Sequence, residues 1–211
     1  MRSLTSHQLQ VAANVPRDIA RMWFEPLNLG AAEASVNTPR RWAMWLAQLG
    51  HESGGFTRLT ESFDYDPAGL MRVWPSRYTP ALAEQHGRGP GKRAVHHKIA
   101  NHVYGGRMGN RADTEDGFIF RGRGIVQLTG RELYTAAGTA LGIDLVGDPD
   151  RARQPDVAAR IAAWFWRTRN VNRHADAADV TGATRAINGG TNGLADRMER
   201  YQVARDALGA A

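Results

Sequence analysis

Glu52 and Glu61 stand nine residues apart in the run His51-Glu52-Ser53-Gly54-Gly55-Phe56-Thr57-Arg58-Leu59-Thr60-Glu61-Ser62-Phe63. The first closes a strongly apolar helical pattern and the second lies past a glycine break. Such an arrangement can put two carboxyl groups on opposite walls of one cleft, in different surroundings. Splitting a sugar–sugar bond needs a pair of that kind, one acid kept protonated and one carboxylate kept charged. On a helical wheel Glu52 falls about 20° from Trp45, at the edge of the apolar stripe. Apolar surroundings and a helix C-terminus both disfavour negative charge, so both push Glu52 toward the acid form. Glu61 sits among Thr60, Ser62 and Asp64, a polar stretch that reads as solvated and would keep it ionised. Taken singly, each is equally an ordinary surface glutamate; the pair carries the chemistry.

Other groupings are weaker. His51-Glu52 would suit a zinc protease only with a second histidine at position 55, which is Gly. His96, His97 and His102 have no acidic residue beside them to complete a metal site, so no metal and no cofactor is expected. Gly122-Arg123-Gly124 lacks the third glycine of a nucleotide loop and reads as a tight turn beside something that approaches closely. Gln127 and Thr129 alternate with Val126 and Leu128, so an extended backbone would turn both polar side chains to one side. There they could hold a water and a sugar, or simply face solvent. Asn188, in Ile187-Asn188-Gly189-Gly190, ends a helical pattern and could offer its amide to an N-acetyl group, or merely precede a turn.

These residues need elements to hold them. Thr38-Pro39 is a cap followed by proline at the first helical position, and Trp42, Trp45, Leu46 and Leu49 follow at helical spacing. Asp66-Pro67 and Thr79-Pro80 start two more helices, with Pro75 and Gly87 as their stops. Residues 92–104 read as a further helix. Phe118-Ile119-Phe120 and Ile125–Leu128 are short β-like runs that predict a small hairpin or an extended loop. Helices resume at 131–141, 156–169, 179–187 and 193–208, the last with Leu194, Met198, Tyr201 and Leu208 on one face. The sum is a mainly α protein with a little β.

With 211 residues, 42% hydrophobic content and six tryptophans, the chain suits one globular domain. It has no cysteine, which excludes disulfides and cysteine-based metal or redox sites. No run is apolar and long enough for a membrane span, and the N-terminal stretch has no apolar signal core. The net charge of +6 is local: Arg88, Lys92, Arg93, Lys98, Arg107 and Arg111 lie between positions 85 and 112 with no acidic residue among them. A field of that sign favours a polyanion, such as an acidic cell-wall polymer, or is a solvated face. No nucleic-acid motif accompanies it.

Four stretches in order resemble the family 19 glycoside hydrolases, the chitinase and endolysin group. They are Ala47–Phe56, Val103–Asn110, Phe120–Gly130 and Ile187–Gly190. The likeness is nearest to the short, cysteine-free phage endolysins of that family. Ile125 stands where many members have proline. The resemblance implies a lysozyme-like α+β fold with a small β-hairpin and two lobes flanking a substrate cleft. The whole of 1–211 would be one catalytic domain, with a larger helical lobe at about 1–66 and 117–211 and a smaller basic lobe at about 67–116. It implies Glu52 as general acid, Glu61 as general base and Thr129 as holder of the attacking water. Gln127, Asn188, Tyr104 and Arg123 would contact the sugar. The mechanism would be inverting, with the two carboxyls about 6.5–9.5 Å apart.

The expected activity is that of an endolysin that hydrolyses the β-1,4 bond between N-acetylmuramic acid and N-acetylglucosamine in peptidoglycan. A chitinase on the same scaffold and a non-catalytic wall-binding protein are the alternatives. Expected partners are peptidoglycan glycan strands and, through residues 85–112, the anionic cell envelope. Neither nucleic acid nor stable membrane insertion is expected. The enzyme would act as a monomer, held in a host cytoplasm until released to the wall.

Overall fold

The computed structural model describes residues 3–210 and is almost entirely helical. Twelve α-helices follow one another: α1 Ser6–Ala13, α2 Arg17–Glu33, α3 Pro39–Glu52, α4 Pro67–Val73, α5 Pro80–His86, α6 His96–Tyr104, α7 Asp116–Ile119, α8 Arg131–Leu141, α9 Pro155–Thr168, α10 Asn172–Asp176, α11 Val180–Asn188 and α12 Leu194–Leu208. A 3₁₀ turn at Pro149–Arg153 precedes α9. None of the described helices is long and apolar enough to cross a membrane.

α3 is the central element. The Thr38 hydroxyl accepts from the Arg41 N–H at 3.2 Å, and Pro39 supplies a preset first turn. Trp42, Trp45, Leu46 and Leu49 are all buried, as their spacing predicts. α12 packs along α3, and α2 packs along α9. These helices share one large core that includes Trp23, Trp42, Trp45 and Trp166. Each large aromatic side chain removes more apolar area from water than any aliphatic neighbour in such a core.

The end of α3 is built as a hinge in the chain path. The Ser53 hydroxyl donates to the Leu49 carbonyl at 2.7 Å and accepts from the Phe56 N–H at 2.9 Å. Gly54, Gly55 and Phe56 then take φ of 57°, 72° and 65°. Three left-handed residues in a row turn the chain back, and this turn carries it from Glu52 to Glu61.

Residues 63–103 form a separate hydrophobic cluster of Phe63, Leu70, Tyr78, Ala83, Ile99, Ala100 and Val103. Its helices start as the sequence predicts. Asp66 accepts from the Gly69 N–H at 2.6 Å, and Thr79 accepts from the Leu82 N–H at 3.3 Å. α6 is shorter than expected: residues 89–92 close a small turn through a Gly89–Lys92 bridge, and the helix begins only at His96.

The expected hairpin is absent from the described residues. Residues 116–119 are a turn of helix, because buried Asp116 and the packing of Phe118 beside α6 outweigh the β preference of Phe-Ile-Phe. Residues 59–61, 122–124 and 128 make isolated antiparallel bridges instead, Thr60 with Arg123 and Arg123 with Leu128. On α12 the buried face is Arg197, Tyr201, Ala204 and Leu208, while Met198 is 51% exposed. Tyr201 and Leu208 are thus buried as expected and Leu194 is partly buried, but Arg197 takes the place expected of Met198.

A buried carboxylate locks the segment before α7 to the start of α8. Asp116 is fully buried and accepts from the Arg111 backbone N–H at 2.9 Å. The Arg131 guanidinium donates to both its oxygens at 2.6 and 2.8 Å, and Arg111 donates to both at 3.1 Å. The Arg131 bond, helped by Arg111, holds the Asp116 carboxyl well below its ordinary value. A depressed folded value stabilises the fold above the ordinary carboxylate range and loses that stabilisation as pH falls through it. Asp116→Asn should therefore cost about 3 kcal/mol at neutral pH. Chemical denaturation should show the gap between variant and wild type closing as the solution is acidified.

Candidate active site

Two side-chain constellations flank the turn that follows α3. The first surrounds Glu52, the last residue of α3, whose side chain is 17% exposed. Its Oε1 accepts from Nη2 of Arg197, which is completely buried. Arg197 Nη1 donates to Gln48 Oε1 at 2.6 Å, and its Nε donates to the Asn192 carbonyl at 3.3 Å. Gln48 is itself buried, and its amide donates to the Thr184 hydroxyl at 3.3 Å. Glu52 is thus the carboxylate of a buried polar chain running from α11 through α3 to α12. The expected apolar setting at the edge of the stripe is corrected here: a guanidinium lies against the carboxyl. A guanidinium shut away from water needs such a partner.

The second constellation surrounds Glu61. In the segment 60–64 the odd residues face inward: Thr60, Ser62 and Asp64 are exposed, Glu61 is half-buried and Phe63 is buried. The expectation of a solvated Glu61 is therefore overturned. Its polar neighbours point the other way along extended backbone. Tyr104, the last residue of α6, donates its hydroxyl to Oε1 at 2.7 Å. The Gly122 N–H donates to Oε2 at 3.1 Å, and the Gly122 carbonyl accepts from the Glu61 N–H at 2.9 Å. Burial pushes the Glu61 carboxyl up, against the opposing pull of Tyr104, Gly122 and Arg121. Burial, together with the Glu61 charge, also pushes the Tyr104 phenol far up, so it stays a donor.

Gly122 lies close against two of these side chains. A Cβ there would lie 2.8 Å from Gln127 Oε1 and 3.2 Å from Glu61 Oε2. Those contacts bring Gln127 to the same point as Glu61. Gln127 does not belong to an extended segment, because its φ is 50° and its amide folds back to donate to the Gly124 carbonyl at 2.9 Å. The Thr129 hydroxyl donates to the Gln127 carbonyl at 2.8 Å, which leaves its oxygen lone pairs to accept from a water.

The remaining residues divide. Asn188 is exposed at the end of α11, beside the Gly189–Gly193 loop. Arg123 is 4% exposed and turned inward. Its guanidinium donates to Asp150 at 2.8 Å, to the Ile119 carbonyl at 2.6 Å and to the Tyr134 hydroxyl at 3.1 Å. With those acceptors it fixes the 119–128 segment, and its expected sugar contact is corrected to that role.

The basic stretch is thinner than its sequence. Arg88 lies 3.7 and 3.8 Å from Asp64 and Asp66, and Arg111 is spent on Asp116. Lys92 donates to the Glu84 and Gln85 carbonyls at the end of α5, at 2.6 and 2.7 Å. Arg93, Lys98 and Arg107 are exposed. Arg107 acts electrostatically on Tyr104, which places part of this charge near Glu61.

The comparisons with known proteins agree on one scaffold. The family model described as chitinase class I, Glyco_hydro_19, matches residues 79–207, more than half the chain. A glycosyl hydrolase family 19 domain-containing protein of Haemophilus influenzae is 37% identical over 181 residues, covering 85% of this chain and 86% of that one. Rice chitinase 8 is 36% identical over 89 residues, about a third of either chain. Among solved structures, chitinase C of Streptomyces griseus superposes over 97% of this chain and 76% of its own, with TM-score 0.64 and 20% identity. The class IV chitinase of Zea mays does so over 99% and 94%, with TM-score 0.58 and 19% identity. These last two share the fold. The model match and the Haemophilus relative establish more: the chain belongs to glycoside hydrolase family 19.

Proposed function

We propose that this glycosidase cuts peptidoglycan between N-acetylmuramic acid and N-acetylglucosamine, in the manner of an endolysin. The cleft would run between the portion built on α3 and α12 and the smaller portion at 67–116. The observation that carries the reading is that two carboxyls joined by one backbone turn are each held in a fixed orientation by their own partners. Glu52 lies at the end of a buried helix against Arg197, and Glu61 is half-buried against Tyr104 and Gly122.

In the proposed reaction Glu52 gives its proton to the glycosidic oxygen as that bond breaks. A water held by Thr129 attacks the anomeric carbon from the opposite face, and Glu61 takes the water's proton. The product has inverted configuration and no covalent intermediate forms. Gln127 and Asn188 orient the sugar. The exposed cations Arg93, Lys98 and Arg107 favour an anionic wall over neutral chitin. A chitinase is the second reading, favoured by the named activity of the solved relatives. Mass analysis of the products from purified peptidoglycan and from chitin oligomers separates the two. New reducing ends only from chitin would reverse the ranking.

Glu52→Gln and Glu61→Gln should each lower kcat by at least ~100-fold on the true substrate. They should differ in stability. Because burial raises the Glu61 carboxyl, the unfolded chain loses that proton first, and the charged group costs stability at neutral pH. Glu61→Gln should therefore melt higher than wild type at pH 7.

The pH profile tests the base. Tyr104 pulls the Glu61 value down, so Tyr104→Phe lets it rise further. The acid limb of the kcat/KM profile should move to higher pH in that variant. An unmoved limb would remove Glu61 from the base role.

The wall-directed charge is tested by Arg93→Glu combined with Lys98→Glu, which spares the Lys92 contact to α5. Lysis of intact walls should slow at low salt and recover toward wild type as salt is raised, with cleavage of short neutral oligomers unaffected.

A further inference from the structure

The Gly189–Gly193 loop connects α11 to α12 and follows directly on Asn188. Its tip is open: a Cβ built at Gly189 or Gly190 would meet nothing within 4 Å. Its far end is different. Gly193 has φ of 69°, and a Cβ there would lie about 2 Å from the His51 ring, at 2.1 Å from Cε1 and 2.2 Å from Nε2. The loop backbone therefore lies directly on the imidazole. That ring is itself fixed: His51 Nδ1 faces Asp196 Oδ2 at 2.6 Å, and Arg200 Nε donates to the same oxygen at 2.8 Å. The close Nδ1 contact makes Nδ1–H the donor and leaves the Nε2 edge against Gly193. His51 also immediately precedes Glu52 on α3.

We propose that His51 is a positioning residue that pins the Gly189–Gly193 loop, and with it Asn188, beside Glu52. The chain of contacts is short. Asp196 and Arg200, one turn apart on α12, orient the ring, and the ring takes the space that any side chain at position 193 would occupy. Arg197, between them in sequence, holds the adjoining Asn192 carbonyl. The loop is thus gripped at two consecutive residues by two groups tied to the end of α3, one through Glu52 and one through His51. On this reading the ring acts on the substrate through the loop, so its loss should loosen sugar binding more than it slows bond cleavage. The inference rests on the reading of Glu52 as general acid and of Asn188 as a sugar contact.

The test is steady-state kinetics on a soluble oligomer of the glycan that the wild type cleaves, with thermal melting run in parallel. His51→Ala should raise KM roughly tenfold, the scale of one lost sugar hydrogen bond, with kcat within about twofold. Asp196→Asn, which keeps the shape and removes the carboxylate, should raise KM in the same direction. Gly193→Ala should raise KM in the wild-type background and do so less in the His51→Ala background, where the collision with the ring is gone and only the strain of the left-handed backbone remains. A lower melting temperature with unchanged KM well below it would reduce His51 to a structural residue and overturn the proposal. So would additive effects of Gly193→Ala and His51→Ala. Glu52→Gln is the control for the underlying reading: full activity there removes the acid assignment, whereas an inactive Glu52→Gln beside an unchanged His51→Ala removes the positioning role alone.

Discussion

A guanidinium with no exposed surface sits in the middle of this fold, and much of the molecule is arranged to keep it satisfied. Arg197 takes a core position on α12, where an apolar residue would be the ordinary occupant. Its donors are met by one carboxyl and one amide oxygen from the last turn of α3 and by one backbone carbonyl from the loop before α12. Those partners fix the rotation of α12 against α3, since a turn of either helix about its axis would leave a buried charge unpaired. The same demand holds the last residue of α3 in place. The proposed acid is therefore oriented by the core, and the loop after α11 inherits its position from the same cation.

The second carboxyl is held by a different kind of support. No buried cation touches Glu61; a phenol and a peptide N–H do. Hydrogen bonds from neutral donors favour the charged form less than an ion pair does, so burial prevails and the carboxyl is displaced upward. One member of the pair is thus tied to the large core and the other to the junction with the cluster of residues 63–103.

Much of this was legible in the chain. Thr38-Pro39, Asp66-Pro67 and Thr79-Pro80 mark helix starts because cap and proline act locally, and the tryptophan spacing marks α3 as a core helix, although burial extends to every residue from Trp42 to Gly50. What escaped depended on contacts between distant segments. The environment of Glu61 is not readable from its neighbours in sequence, because they lie on the opposite side of extended backbone. Arg197 was missed because an arginine in an apolar stripe reads as the stripe's edge, although its spacing with Tyr201, Ala204 and Leu208 was a usable sign. The resemblance assigns Arg123 to sugar, whereas Asp150, Ile119 and Tyr134 draw its guanidinium inward. Phe118-Ile119-Phe120 favoured a strand by composition, and the burial of Asp116 made it a helical turn.

The grip on Glu61 also has a directional consequence. A carboxylate offers four lone pairs, two on each oxygen. The Tyr104 hydroxyl occupies one on Oε1 and the Gly122 N–H occupies one on Oε2. Each oxygen keeps a single vacancy, and the carboxyl plane cannot swing without surrendering a donor. A proton taken up by this group must arrive along one of two fixed lines, and the hydrogen it deposits points away from both the phenol and the peptide. The fold thereby prescribes the approach path of whatever acid Glu61 receives its proton from.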